Sequence, residues 1–172
     1  YKIAEPYFEK VLEIKEKNLG KYHPEVASVL NSFAYLLSAI GKFSESEVMF
    51  LRAIESFEKY PESDIKQHSD SLNNLAVLYT MQVKYTDAEP LFKSAIEIRE
   101  KHLGADHPEV AKTIMNLANI YFDLKKFSEA EELYQRSLTI SEKTLGDIHP
   151  EVGKALNSIG NVYLEQKKYS EA

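Results

Sequence analysis

Apolar residues recur three and four apart along most of the chain, as in Val110, Ile114, Leu117, Ala118 and Tyr121, a spacing that lines one side of a helix. After Lys125-Lys126 a second stripe follows, Ala130, Leu133, Tyr134, Ser137, Leu138 and Ile140. It predicts a partner helix of roughly seventeen residues, about 25 Å long. We call the first kind helix A and the second helix B. Glu129, Glu131 and Glu132 crowd the start of the second, where carboxylates favour the positive end of the helix dipole. Leu-Gly closes helix B at Gly20, Gly104 and Gly146, since glycine tolerates the left-handed backbone of a C-cap. Pro24, Pro108 and Pro150 then restart the chain, pre-set for a first helical turn.

The pattern repeats. His-Pro stands at His23, His107 and His149, 84 and then 42 residues apart. Two further series keep a 42-residue register: Phe33-Ala34, Leu75-Ala76, Leu117-Ala118 and Ile159-Gly160, and the aromatics Tyr1, Phe43, Tyr85, Phe127 and Tyr169. The expected division is a single array over 1–172: a partial repeat of helix B only at 1–22, repeats at 23–64, 65–106 and 107–148, and a partial repeat of helix A only at 149–172. At the middle junction Tyr60-Pro61-Glu62-Ser63-Asp64 replaces Leu-Gly, and no His-Pro follows. Asp64 with Gln67 still offers a capping box, which predicts an altered loop ahead of a preserved helix.

Small residues explain how such hairpins nest. Ala34, Ala76, Ala118 and Gly160 in helix A face Ala4, Ser46, Ala88 and Ala130, then Val11, Ala53, Ala95 and Ser137, in helix B. They leave room for helix axes about 8–10 Å apart. Phe8, Phe50, Phe92 and Tyr134 fill one column between them, and Leu37, Tyr79, Tyr121 and Tyr163 another. These aromatics read as core, because they recur where packing needs them.

Leu117, Ala118, Tyr121, Ala130, Tyr134 and Ser137 resemble the tetratricopeptide signature at its spacings, over the whole chain. The 42-residue period and the run from Ala88-Glu89-Pro90-Leu91-Phe92 through Leu103-Gly104-Ala105-Asp106-His107-Pro108 look like kinesin light chain repeats, a long form shared by nephrocystin-like and bacterial proteins. The resemblance implies an all-α fold, a right-handed superhelical stack of antiparallel helix hairpins (an α-solenoid) with about eight helices. It also implies that helix A lines a concave groove and that groove asparagines hold a partner's extended peptide by its backbone.

The helix A columns facing away from helix B hold Ser28, Asp70, Lys112 and Lys154; Asn31, Asn73, Met115 and Asn157; Ser32, Asn74, Asn116 and Ser158; and Tyr35, Val77, Asn119 and Asn161. Candidate peptide-binding residues are therefore Asn31, Tyr35, Asn73, Asn74, Lys112, Asn116, Asn119, Lys154, Asn157 and Asn161. An amide presents donors and an acceptor together, and asparagine is a mediocre helix former that propensity alone would not place here. Lys112 and Lys154 would add affinity for acidic segments, diluted by Asp70, Asp123 and Glu165. The competing reading makes these asparagines solvated faces or spacers between helices, within a structural or self-associating array that has no peptide ligand.

Composition narrows the remaining classes. With 21 Lys+Arg against 27 Asp+Glu the net charge is -6, a poor match for nucleic acid. The longest uncharged run, Val26 to Gly41, is too short and too polar to span a bilayer, so no membrane insertion is expected. There is no cysteine for a thiol nucleophile or thiolate ligand. Histidines a whole repeat apart sit on successive loops and share no metal ion. Neighbouring side chains of His68-Ser69-Asp70 diverge on a helix and form no catalytic relay. No enzyme activity, cofactor or metal is expected, and a cytoplasmic, intracellular setting is the default. The chain opens at Tyr1 inside the pattern and reads as a fragment of a larger protein. Its last helix A, without a helix B, would expose Ile159, Val162 and Tyr163 and offer self-association through a truncated end.

Overall fold

A computed structural model describes residues 3–61 and 63–166. Tyr1, Glu62, Tyr169 and the final Ser170-Glu171-Ala172, part of the expectations above, lie outside the described residues. Among those described, eight helices and no strand form: α1 (Glu5–Leu19), α2 (Pro24–Ala39), α3 (Phe43–Lys59), α4 (Ile65–Met81), α5 (Tyr85–Leu103), α6 (Pro108–Asp123), α7 (Phe127–Leu145) and α8 (Pro150–Glu165). In the terms above, the even-numbered helices are of kind A and the odd-numbered ones of kind B. None is long and apolar enough to cross a membrane.

The helix ends follow from local chemistry. Gly20 and Gly146 close α1 and α7 at φ 89, ψ 156 and φ 85, ψ 155. That is not the left-handed helical region expected from the sequence. It is the extended region at positive φ, which is open essentially to glycine alone. Pro24, Pro108 and Pro150 occupy first-turn positions as expected, and the histidine before each does more than mark the junction. Nδ1 of His23, His107 and His149 accepts the backbone N–H of Glu25, Glu109 and Glu151 at 3.2 Å in each case. The imidazole is the N-cap. At the irregular junction Asp64 takes that role, its Oδ1 accepting from the Gln67 N–H at 2.9 Å. The Gln67 side-chain amide turns to the Asp64 carboxylate at 2.8 Å.

The fold divides inside α5 into two compact units, Tyr1–Leu91 and Phe92–Ala172. In the first, α2 packs against α1, α3 and α4. Leu12, Val26, Ala27, Leu30, Ala53 and Phe57 form one core, and Phe33, Leu36 and Leu37 another. Where α2 and α3 cross, Ala34 and Ser46 are fully buried, and the Ser46 hydroxyl donates to the Ala34 carbonyl at 2.7 Å. Small residues thus allow close approach and also bond across it. Val11, placed in the same kind of column, is exposed, since no described helix covers that side of α1.

In the second unit α7 packs between α6 and α8 around Ala118, Ala130, Tyr134, Leu138, Val152, Ala155, Ile159 and Val162. The Ser137 hydroxyl donates to the Ala111 carbonyl at 3.0 Å. One expectation for α8 needs correction. Ile159 and Val162 are buried against α7 and Tyr163 is half-buried; the exposed large apolar residues of α8 are Leu156 and Leu164. The column that would face Gly160 falls on Ala172, outside the described residues. Arg99, near the end of α5, is buried and ties that helix to α6. Its Nη1 donates to the Glu109 carbonyl at 3.1 Å and to the Thr113 hydroxyl, and the Glu109 carboxylate lies 3.9 Å away.

Candidate functional site

In the first unit the helix A residues meet in an open hollow of about 550 Å³ over α1, α2 and α4. Asn31, Ser32 and Tyr35 on α2 and Gln67, Asp70 and Asn74 on α4 line it, with Ala4, Phe8 and Leu36 below. The ring of Tyr35 is 64% exposed, free to lie against a ligand. Asn31 is partly spoken for: its Nδ2 donates to the Gln67 carbonyl at 3.2 Å, and its buried Oδ1 has no hydrogen-bond partner among the described residues. Asn73 Nδ2 donates to Asn74 Oδ1 at 3.2 Å, which leaves the Asn74 amide nitrogen turned elsewhere. Four of the ten expected residues, Asn31, Tyr35, Asn73 and Asn74, are therefore gathered in or beside one hollow.

In the second unit the candidates spread over α6 and α8. Lys112 and Lys154 are exposed, and each meets the glutamate three residues before it, Glu109 and Glu151, at 2.8 Å. Burial alone would push the Glu109 carboxyl up, but the hydrogen bond and charge of Lys112, with Arg99 beside it, hold it below the ordinary carboxylate range. Each lysine thus stands beside a carboxylate, which dilutes the positive field of this side further. Asn116 is half-buried, while Asn157 and Asn161 are exposed. Asn119 is exposed too, and its Oδ1 accepts the Tyr134 hydroxyl of helix B at 2.7 Å. Burial pushes the Tyr134 phenol up to about 12. The positions 42 and 84 residues before Tyr134 are Phe92 and Phe50, which need no such partner.

Three features add to those expected from the sequence. The capping role of the histidines was signalled by His-Pro-Glu itself, an acceptor two residues before an unsatisfied amide. The Tyr79 and Tyr163 hydroxyls donate to Glu47 at 2.9 Å and Glu131 at 3.1 Å. Glu47 and Glu131 also stand 84 residues apart, so the register signalled this pairing too. Tyr79 is pushed up to about 12, by burial first and then by Glu47. Arg99 gave no signal, because its column otherwise holds Lys15, Phe57 and Ser141.

The sequence profile of the tetratricopeptide repeat matches residues 1–59, 67–143 and 109–172. No curated protein sequence matches the chain. Among solved structures, BtubC (BKLC) from P. vanneervenii is similar at TM-score 0.89 and 20% identity, over 99% of this chain and 68% of that one. A kinesin light chain-type protein of Podosopora anserina with nearly identical TPR-like repeats is similar at TM-score 0.84 and 24% identity, over 99% of this chain and 81% of that one. The apo form of RapI follows at TM-score 0.81 and 22% identity, over 94% and 43%. At these identities the structural likeness speaks to the fold, an α-solenoid of helical hairpins.

Proposed function

Because the chain belongs to the tetratricopeptide repeat family, we propose that its helix A side holds an extended or short helical peptide segment of a partner protein, without catalysis. The observation that carries this is the hollow of about 550 Å³ in the first unit, where Asn31, Tyr35 and Asn74 meet. An extended backbone offers alternating N–H and C=O groups. Side-chain amides satisfy both kinds, and an exposed tyrosine ring adds area at little entropic cost. The likeness to kinesin light chain-type repeats makes a cargo or adaptor segment the natural class of ligand. With Lys112 and Lys154 each beside a glutamate, recognition in this reading rests chiefly on backbone hydrogen bonds and shape.

A peptide array probed with the chain tests this, repeated with Asn74→Ala plus Asn116→Ala. Loss of about tenfold or more in affinity is expected for peptides the unaltered chain selects, as two hydrogen-bonding amides are removed. Binding that survives the double substitution moves the ligand off the helix A side. A second reading has its own support: Asn31 bonds the Gln67 carbonyl and Asn119 accepts from Tyr134, so two of the candidates serve the packing of their own helices. In that reading the chain is a structural or self-associating array, and the peptide array stays blank.

A further inference from the structure

The helix B side of the first unit carries a second groove, between α1 and α3, of about 410 Å³. Its floor is apolar, made of Leu12, Phe33, Leu37 and Met49. Val48 stands at its edge, 51% exposed, and Leu51 follows one turn later on the same side of α3, 47% exposed. The repeat supplies an internal control for both. Positions 84 residues on are Glu132 and Gln135, both exposed, and the α1 counterpart of Leu51 is Glu9. Packing therefore tolerates polar residues at these places, and neither burial nor helix propensity calls for valine or leucine there.

The rim is acidic. Glu9, Glu13, Glu16 and Glu45 line the groove, with Glu5 just beyond. Glu13 pairs with Lys10, Glu16 with Arg52, and Lys42 is shared between Glu5 and Glu45. Five carboxylates thus stand against three cations, a residual negative field over an apolar floor.

We propose that this groove docks a cationic amphipathic helix of a partner protein, its apolar side against Val48 and Leu51 and its Lys or Arg side chains toward Glu9, Glu13 and Glu45. Helix-in-groove binding needs such an apolar strip for affinity and opposite charge for approach and register. This surface is separate from the helix A hollow and does not rest on the peptide-holding reading.

Fluorescence anisotropy with a labelled helical probe of about 18 residues, built of leucine and lysine in helical register, tests the proposal. A probe with glutamate for lysine is expected to bind at least about tenfold more weakly. Val48→Ser plus Leu51→Ser, both exposed and so compatible with an intact fold by circular dichroism, is expected to weaken the lysine probe by about tenfold or more. Glu132→Ser plus Gln135→Ser, at the equivalent places on α7, should leave it unchanged, as should Asn74→Ala. Affinity that ignores the Val48 and Leu51 changes, or falls as much with the α7 control, would reduce the effect to diffuse charge attraction and overturn the proposal. So would equal binding of the glutamate probe, or none of the lysine probe.

Discussion

Val83 carries a backbone conformation that its side chain resists. It sits at φ 61 in the turn between α4 and α5, where a branched Cβ crowds the following carbonyl. The position 42 residues earlier is Gly41, at φ 81, and 42 residues later Lys125, at φ 59, so the turn geometry is common and the residue is not. Val83 is exposed and contributes no core packing to offset its strain. Val83→Gly should stabilise the chain by about 0.5–1 kcal/mol, the relief of a left-handed β-branched residue less the added freedom of glycine when unfolded. Urea midpoints at constant m-value measure it, and a midpoint that stays or falls refutes it. The strain is decided by a backbone angle, which a pattern of apolar and polar positions does not carry; the histidine caps, by contrast, are signalled by His-Pro-Glu.

The junction of α3 and α4 shows what a single altered element costs. His68 occupies a column held elsewhere by Val26, Val110 and Val152, all buried. Its ring stacks on Phe57, centroids 5.8 Å apart. Burial pushes the imidazole below its ordinary value of 6.5, and the charge of Glu58 only partly opposes this. The folded state therefore prefers His68 neutral, and the unfolded chain binds the proton more readily. That contribution is fully present above pH 6.5 and is lost as pH falls through 6.5 toward the lowered folded value. His68→Val should leave the altered loop intact, raise stability below pH 6, and flatten the pH dependence between pH 5 and 7 on about the scale that one titrating histidine sets. An unchanged slope in melts across that range would show that His68 is not the group responsible. Here the sequence was a good guide to the element: Asp64 and Gln67 announced the cap of α4 even though Leu-Gly and His-Pro were missing. It was silent on Arg99, whose bonds to Glu109 and Thr113 depend on how α5 lies on α6.

At the scale of the whole molecule, stability is shared between neighbours along the array, so helices that leave core-column residues exposed should open first. Leu156 on α8 is 52% exposed, while its counterparts Leu30, Leu72 and Ile114 are buried. Amide exchange in α8 should accordingly run at least about tenfold faster than in α6, and comparable protection would mean that something covers Leu156 in solution. The fold was legible because a 42-residue period makes most columns repeat their packing role, so one chain carries several copies of the same pattern. The candidate site was less so. Asn74 lines a hollow, whereas Asn119, in a different column, bonds its own helix B, because Tyr134 supplies a hydroxyl where Phe50 and Phe92 do not. The capping histidines are also masked as nucleophiles. With Nδ1 engaged by a backbone amide, each neutral ring of His23, His107 and His149 keeps its hydrogen on Nε2 and shows water no unshared nitrogen pair. An acylating agent finds a nucleophile there only when a helix end frays, so its slow uptake counts open helix ends where folded loops stay silent.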